Sequence, residues 1–186
     1  MIADSYIVPE CVIGPGSFGG LMALYESNFI KFDMLVGRFG ADGEPGDCLL
    51  STVPRDCDLY LTVMEATRYT RTFRMTYLFD EPDADDGARS GAARVIADPE
   101  LLIRVYLDAR MTEVAGWAEH HRHALLRGLS NRFHRELDRR WSNNMMLSKW
   151  LDFLLDTRHL FEHGVPVADP LAVPRAGMAD AWLEVV

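Results

Sequence analysis

Two short stretches carry most of the residues that could do chemistry. "EATRY" supplies Glu65, Thr67, Arg68 and Tyr69, and "RVYLDARMTE" supplies Arg104, Tyr106, Asp108 and Glu113. Arginine beside tyrosine suits recognition of an anion or a planar group, because a guanidinium forks onto carboxylates and phosphates and stacks on rings. Glu65, Asp108 and Glu113 could serve as general acid or base if one of them faced a substrate. They could equally be ion-paired to Arg68 and Arg104, and structural pairing is the better reading, since no nucleophile or metal site completes the group.

The remaining reactive groups are weaker. "EHHRH" (119–123) is rich in imidazole, and His159 and His163 stand four apart, on one face if a helix reaches that far. Two histidines hold a metal only with a third ligand from elsewhere, and none is evident, so no metal and no cofactor are expected. "GPGSFGG" (14–20) precedes a helix and could cradle phosphate, but it lacks the lysine of a P-loop. It reads as a flexible approach to the helix.

These residues must be positioned by an α+β fold. Ser17 caps a helix running to about Val36, with Leu21, Leu24, Tyr25, Asn28, Phe32 and Leu35 along one stripe and Gly37 as its stop. Strands are predicted over 48–53, 58–65, 69–79, 101–108 and 110–117, with an acidic loop at 81–91. A long helix follows from about Asp138 to Phe161, ended by Gly164. Hence an antiparallel β-meander of about five strands is expected, flanked by an N-terminal and a long C-terminal helix packed on one face. Residues 1–16 read as an irregular leader, 17–163 as one domain and 164–186 as a Pro-rich extended tail.

The stretch 59–79 contains no Gly, Pro, Asn or Asp. As one straight strand it would extend roughly 70 Å, too long for a domain of this size, so it must fold back. Matching apolar parity pairs Leu61 with Phe73, Leu59 with Met75 and Glu65 with Tyr69, leaving Ala66, Thr67 and Arg68 as the loop. Such a loop usually wants a residue tolerant of positive φ, and none is present. The other parity places Tyr60, Thr62, Thr70, Thr72, Arg74 and Thr76 beside Arg104, Tyr106 and Asp108 on a polar, open sheet face.

Composition excludes some classes. A net charge of −9 argues against nucleic acid as a partner, although the Arg-rich stretch 119–140 leaves a local basic patch. No apolar run is long enough to span a bilayer, and the first residues lack the basic start of a signal peptide. Cys11, Cys48 and Cys57 are odd in number and widely spaced, which suits a reducing cytoplasm.

"LYESNF" (24–29), "VMEATRYT" (63–70), "IRVYLDARMTEV" (103–114) and "LDRRWSNNMMLSKWL" (137–151) resemble, in order and spacing, the YqiB-like family of bacterial cytosolic proteins, domain of unknown function 1249. The resemblance runs from Leu21 to the end of the last helix. It points to the eight residues named above, together with Asn28, Thr70, Ala109, Asp138, Asn144 and Trp150. Members of that family usually have His where this chain has Leu107. The resemblance implies no established activity. Together these features predict a non-enzymatic binding or regulatory module for a protein partner or small anionic ligand. The alternative is a hydrolase or transferase acting on a phosphorylated or nucleotide-like substrate, bound by Arg68 and Arg104.

Overall fold

The computed structural model describes residues 16–54, 56–80, 95–117 and 134–172. The leader, the acidic loop 81–91, the "EHHRH" stretch and the tail beyond residue 172 lie outside these. The elements are α1 (Phe18–Val36), α2 (Phe39–Asp42), β1 (Cys48–Ser51), β2 (Leu59–Ala66), β3 (Thr70–Asp80), β4 (Val95–Tyr106), β5 (Met111–Trp117), α3 (His134–Asp156), a 3-10 turn (Phe161–His163) and β6 (Val165–Val167). The expected α+β architecture is present. The strands form one antiparallel sheet in the order β5-β4-β3-β2-β1-β6, so the meander gains a sixth strand from the Pro-containing stretch after Gly164.

The first helix forms as its residues dictate. Ser17 accepts the Gly20 N–H at 3.1 Å, and Gly37 at φ 55 closes the other end by donating to Asp33. Leu21, Leu24, Tyr25, Asn28, Phe32 and Leu35 are all buried. Phe32, Leu35 and Val36 meet Leu147, Trp150, Leu151 and Leu154 of α3 over Leu61, Val63, Phe73, Met75, Leu101 and Ile103 of the sheet. Both helices thus cover one face. Lys31 ties them together, with Asp152 and Ser148 each 2.8 Å from its ammonium.

Two expectations fail for identifiable reasons. The long helix stops at Asp156, not near Gly164, because Arg158 takes a left-handed conformation at φ 67. The backbone N–H groups of Arg158 and His159 then close back onto Leu155 and Leu154. His159 and His163 therefore share no helical face. The β2–β3 register is also displaced from the one matched by parity: Leu61 faces Met75, Leu59 faces Tyr77 and Val63 faces Phe73. A bulge between Val63 and Glu65 shifts the pairing, so Glu65 faces Thr72 and Ala66 faces Arg71. One extra residue moves Glu65 from the core parity to the polar face. This resolves why both ends of 59–79 are apolar on one parity while the middle is not.

The turn that follows dispenses with glycine. The Thr67 N–H donates to the Thr70 carbonyl at 2.8 Å, and the Thr67 hydroxyl both accepts from the Thr70 N–H and donates to its carbonyl, each at 3.0 Å. A side chain here performs the closure that a main-chain turn normally provides.

Candidate functional site

The β2–β3 and β4–β5 turns lie at the same end of the sheet, and the Leu107 N–H donates to the Tyr69 carbonyl at 2.9 Å to join them. Thr67, Arg68 and Tyr69 are exposed there, with the Arg68 guanidinium 5.0 Å from the Tyr69 ring centroid. Asp108 belongs to the turn and not to the strand face predicted for it. Strand β4 ends at Tyr106, and the Asp108 carboxylate accepts the neighbouring Ala109 N–H at 2.9 Å.

Just inside the turns, pairing across four strands sets Glu65, Thr72, Arg104 and Glu113 in one row. Thr72 donates to Glu65 at 3.3 Å. Glu113 is buried, takes the Tyr106 hydroxyl at 2.7 Å and pairs with Arg140 of α3 at 3.2 Å. Burial, and then the bond to Glu113, raises the Tyr106 pKa, so it stays a phenol donor. All eight predicted residues thus gather at one end of the sheet, divided between an exposed turn and a partly buried row. The open face predicted from parity is not open: Thr62, Thr72, Arg74, Thr76 and Glu100 are all buried on it. One cause is the chain after β6, which reaches over this face so that Asp169 pairs with Arg74.

Sequence reasoning missed two clusters. Glu136 binds Arg139 and Arg140, and Arg140 also pairs with Glu113. Tyr25 of α1 is buried beside it, its hydroxyl close to Arg140 and Glu113. Burial, reinforced by the Glu113 charge, pushes its pKa up to about 12. Tyr25 and Arg140 also line an open, mainly apolar cleft of ≈ 290 Å³ with Phe18, Leu21, Met22, Glu136 and Leu137. The second cluster lies at the other end of the core. His159, fully buried, sits 3.1 Å from the Ser51 hydroxyl through Nδ1 and 3.0 Å from Asp56 through Nε2. Tyr77 donates to the same Asp56 oxygen at 3.0 Å. Burial would raise the Asp56 pKa, but hydrogen bonds from the Cys57 N–H, Tyr77 and His159 outweigh it and hold it below the usual carboxylate range. Ser51 is buried too, so this Ser–His–Asp set fixes the end of α3 to β1 and β3 and presents no accessible nucleophile. Partners separated by 103 and 108 residues leave no local signal in the sequence.

No group of three His, Cys, Asp or Glu side chains among the described residues could hold a metal. No described helix is long and apolar enough to cross a membrane.

A six-stranded antiparallel sheet backed by two helices, with polar residues gathered at its turn end, defines the class as an α+β domain. The chain belongs to the family described as "Protein of unknown function (DUF1249)", whose profile matches residues 42–160. That stretch holds all eight candidate residues and the Ser51–Asp56–His159 set, and it begins after α1. No curated protein and no solved structure gives a significant match.

Proposed function

We propose that the protein is a non-enzymatic binding module that takes an acidic group, from a protein partner or a small anionic ligand, at the turn end of its sheet. The observation that carries this reading is the exposed Arg68–Tyr69 pair on a turn already fixed by Thr67 and Leu107. A cation and ring held in place before binding lose less freedom on association than a mobile pair would. Among the described residues, no ion pair engages Arg68 or Arg104.

Each carboxylate that an enzyme would use already accepts at least one hydrogen bond within the fold. Glu113 holds Tyr106 and Arg140, Glu65 takes Thr72, and Asp108 caps its own turn. This weighs against the hydrolase or transferase alternative, which needs one of them directed at a substrate.

A thermal-shift series with sugar phosphates, nucleotides and an acidic peptide tests the reading. A ligand at about a hundred times its dissociation constant adds roughly 2.7 kcal/mol to the folded state. The shift is expected to vanish in Arg68→Ala and Tyr69→Ala without change in the unliganded melting temperature. An unchanged shift in both variants would refute the assignment to this turn.

A further inference from the structure

Arg74 lies on β3 in the polar face, facing Thr62 on one side and Leu102 on the other. Its relative exposure is only 6%. A buried guanidinium requires anionic partners, since leaving it unpaired is strongly unfavourable. Two surround it. Glu100 stands diagonally across on β4, with its oxygen 4.0 Å from Nε, and Asp169 pairs directly with Nη2. Diagonally on the opposite side of Arg74 is Arg104, which no carboxylate engages among the described residues.

The two acidic partners differ in kind. Glu100 belongs to the sheet. Asp169 belongs to a short strap beginning at β6, held by three residue pairs to β1, one of them through Pro166, which has no N–H to give. Asp169 also accepts the Leu171 N–H at 3.1 Å, which shapes the strap so that the carboxylate is presented to Arg74.

We infer that Arg74, flanked by Arg104, is a second oxyanion seat on this face, occupied in cis by the Asp169 carboxylate, and that a phosphate or carboxylate group from outside takes the seat when the strap lifts. The inference rests on the proposed anion-binding role only through Arg104; Arg74 and Asp169 carry it independently of the turn. With Asp169 in place, Arg74 is held between the Glu100 and Asp169 carboxylates. Without it, Arg74 keeps only Glu100, 4.0 Å from Nε, and faces the hydroxyl-rich surface of Thr62, Thr72 and Thr76. A tethered competitor lowers apparent affinity by the fraction of time the seat is free, so removing its charge restores the full value.

Cys48 gives the strap a reporter. It lies across from Val167 and is buried, with its thiol pushed up first by burial and further by the Asp169 charge. Inorganic phosphate is titrated into wild type and Asp169→Asn by thermal shift, at constant ionic strength set with chloride. Alkylation of Cys48 is followed in a background where Cys11 and Cys57 are serine. The expected result is phosphate binding at least about tenfold tighter in Asp169→Asn, lost again in Asp169→Asn/Arg104→Gln, and several-fold faster alkylation of Cys48 in the wild-type strap when phosphate replaces chloride. Phosphate affinity in folded Asp169→Asn equal to that of wild type would overturn the inference. Should that variant not fold, a Cys48 rate unmoved by phosphate in the wild-type strap would overturn it as well. Arg68→Ala separates the two sites: it abolishes binding at the turn and leaves the Asp169→Asn gain intact.

Discussion

Replacing Asp56 by alanine tests how the far end of the core is held. In the native protein Asp56 accepts from Tyr77 and lies 3.0 Å from His159 Nε2. Its third bond, from the exposed Cys57 N–H, passes to water in the variant and contributes little. The other two partners stay buried and lose their acceptor. A hydrogen bond to a charged group contributes about 1.5–3 kcal/mol. Two that share one oxygen do not add fully, so the expected loss is about 3–4 kcal/mol. That is a large part of the stability of an ordinary domain, and it moves a urea midpoint by about 1.5–2 M.

The loss depends on pH with a definite sign. The folded Asp56 carboxyl titrates below its unfolded value, so its contribution is complete above the unfolded pKa and fades as pH falls through the folded one. Urea unfolding followed by circular dichroism at neutral pH and at several values below about pH 4 should show the wild-type and variant curves converging in acid. A neutral-pH gap under about 1 kcal/mol would show that these bonds do not secure the end of α3. A gap that held constant into acid would contradict the depressed carboxyl.

Three further outcomes follow from the same geometry. Asn144→Leu leaves the buried Val114 N–H without its 3.0 Å acceptor, and should cost about 1–3 kcal/mol in chemical denaturation. Tyr25→Phe removes a buried hydroxyl set beside Glu113 and Arg140, so thermal unfolding should show a loss of up to about 1 kcal/mol. Thr67→Val deletes both hydroxyl bonds of the β2–β3 turn; it should destabilise by about 1–2 kcal/mol and weaken any ligand that needs Arg68, read by unfolding and titration together.

Much of the architecture was legible because its signals are local. The Ser17 cap, the α1 stripe and the alternation in 101–106 each occupy a few consecutive residues, and each is realised. The β2–β3 register was not, since nothing in "VMEAT" distinguishes a bulge at Met64 from regular pairing. Nor was the burial of the polar face, which depends on Asp169 reaching Arg74 across 95 residues of chain. At the site, the turns that bring the eight residues to one end of the sheet follow from the meander, but Arg140 and Tyr25 come from helices whose approach to β5 no spacing rule reveals. Asn144 was singled out by the family resemblance; that it serves β5 was not visible.

Both flanks of the sheet carry a feature that hinders main-chain pairing. On β5, Asn144 from α3 takes the outward Val114 N–H; on the other side, β6 is three residues long with proline at its centre. Such flanks resist strand addition by another chain, the route by which exposed sheets assemble into fibrils. Features of this kind favour recognition through side chains and charge over the addition of a strand.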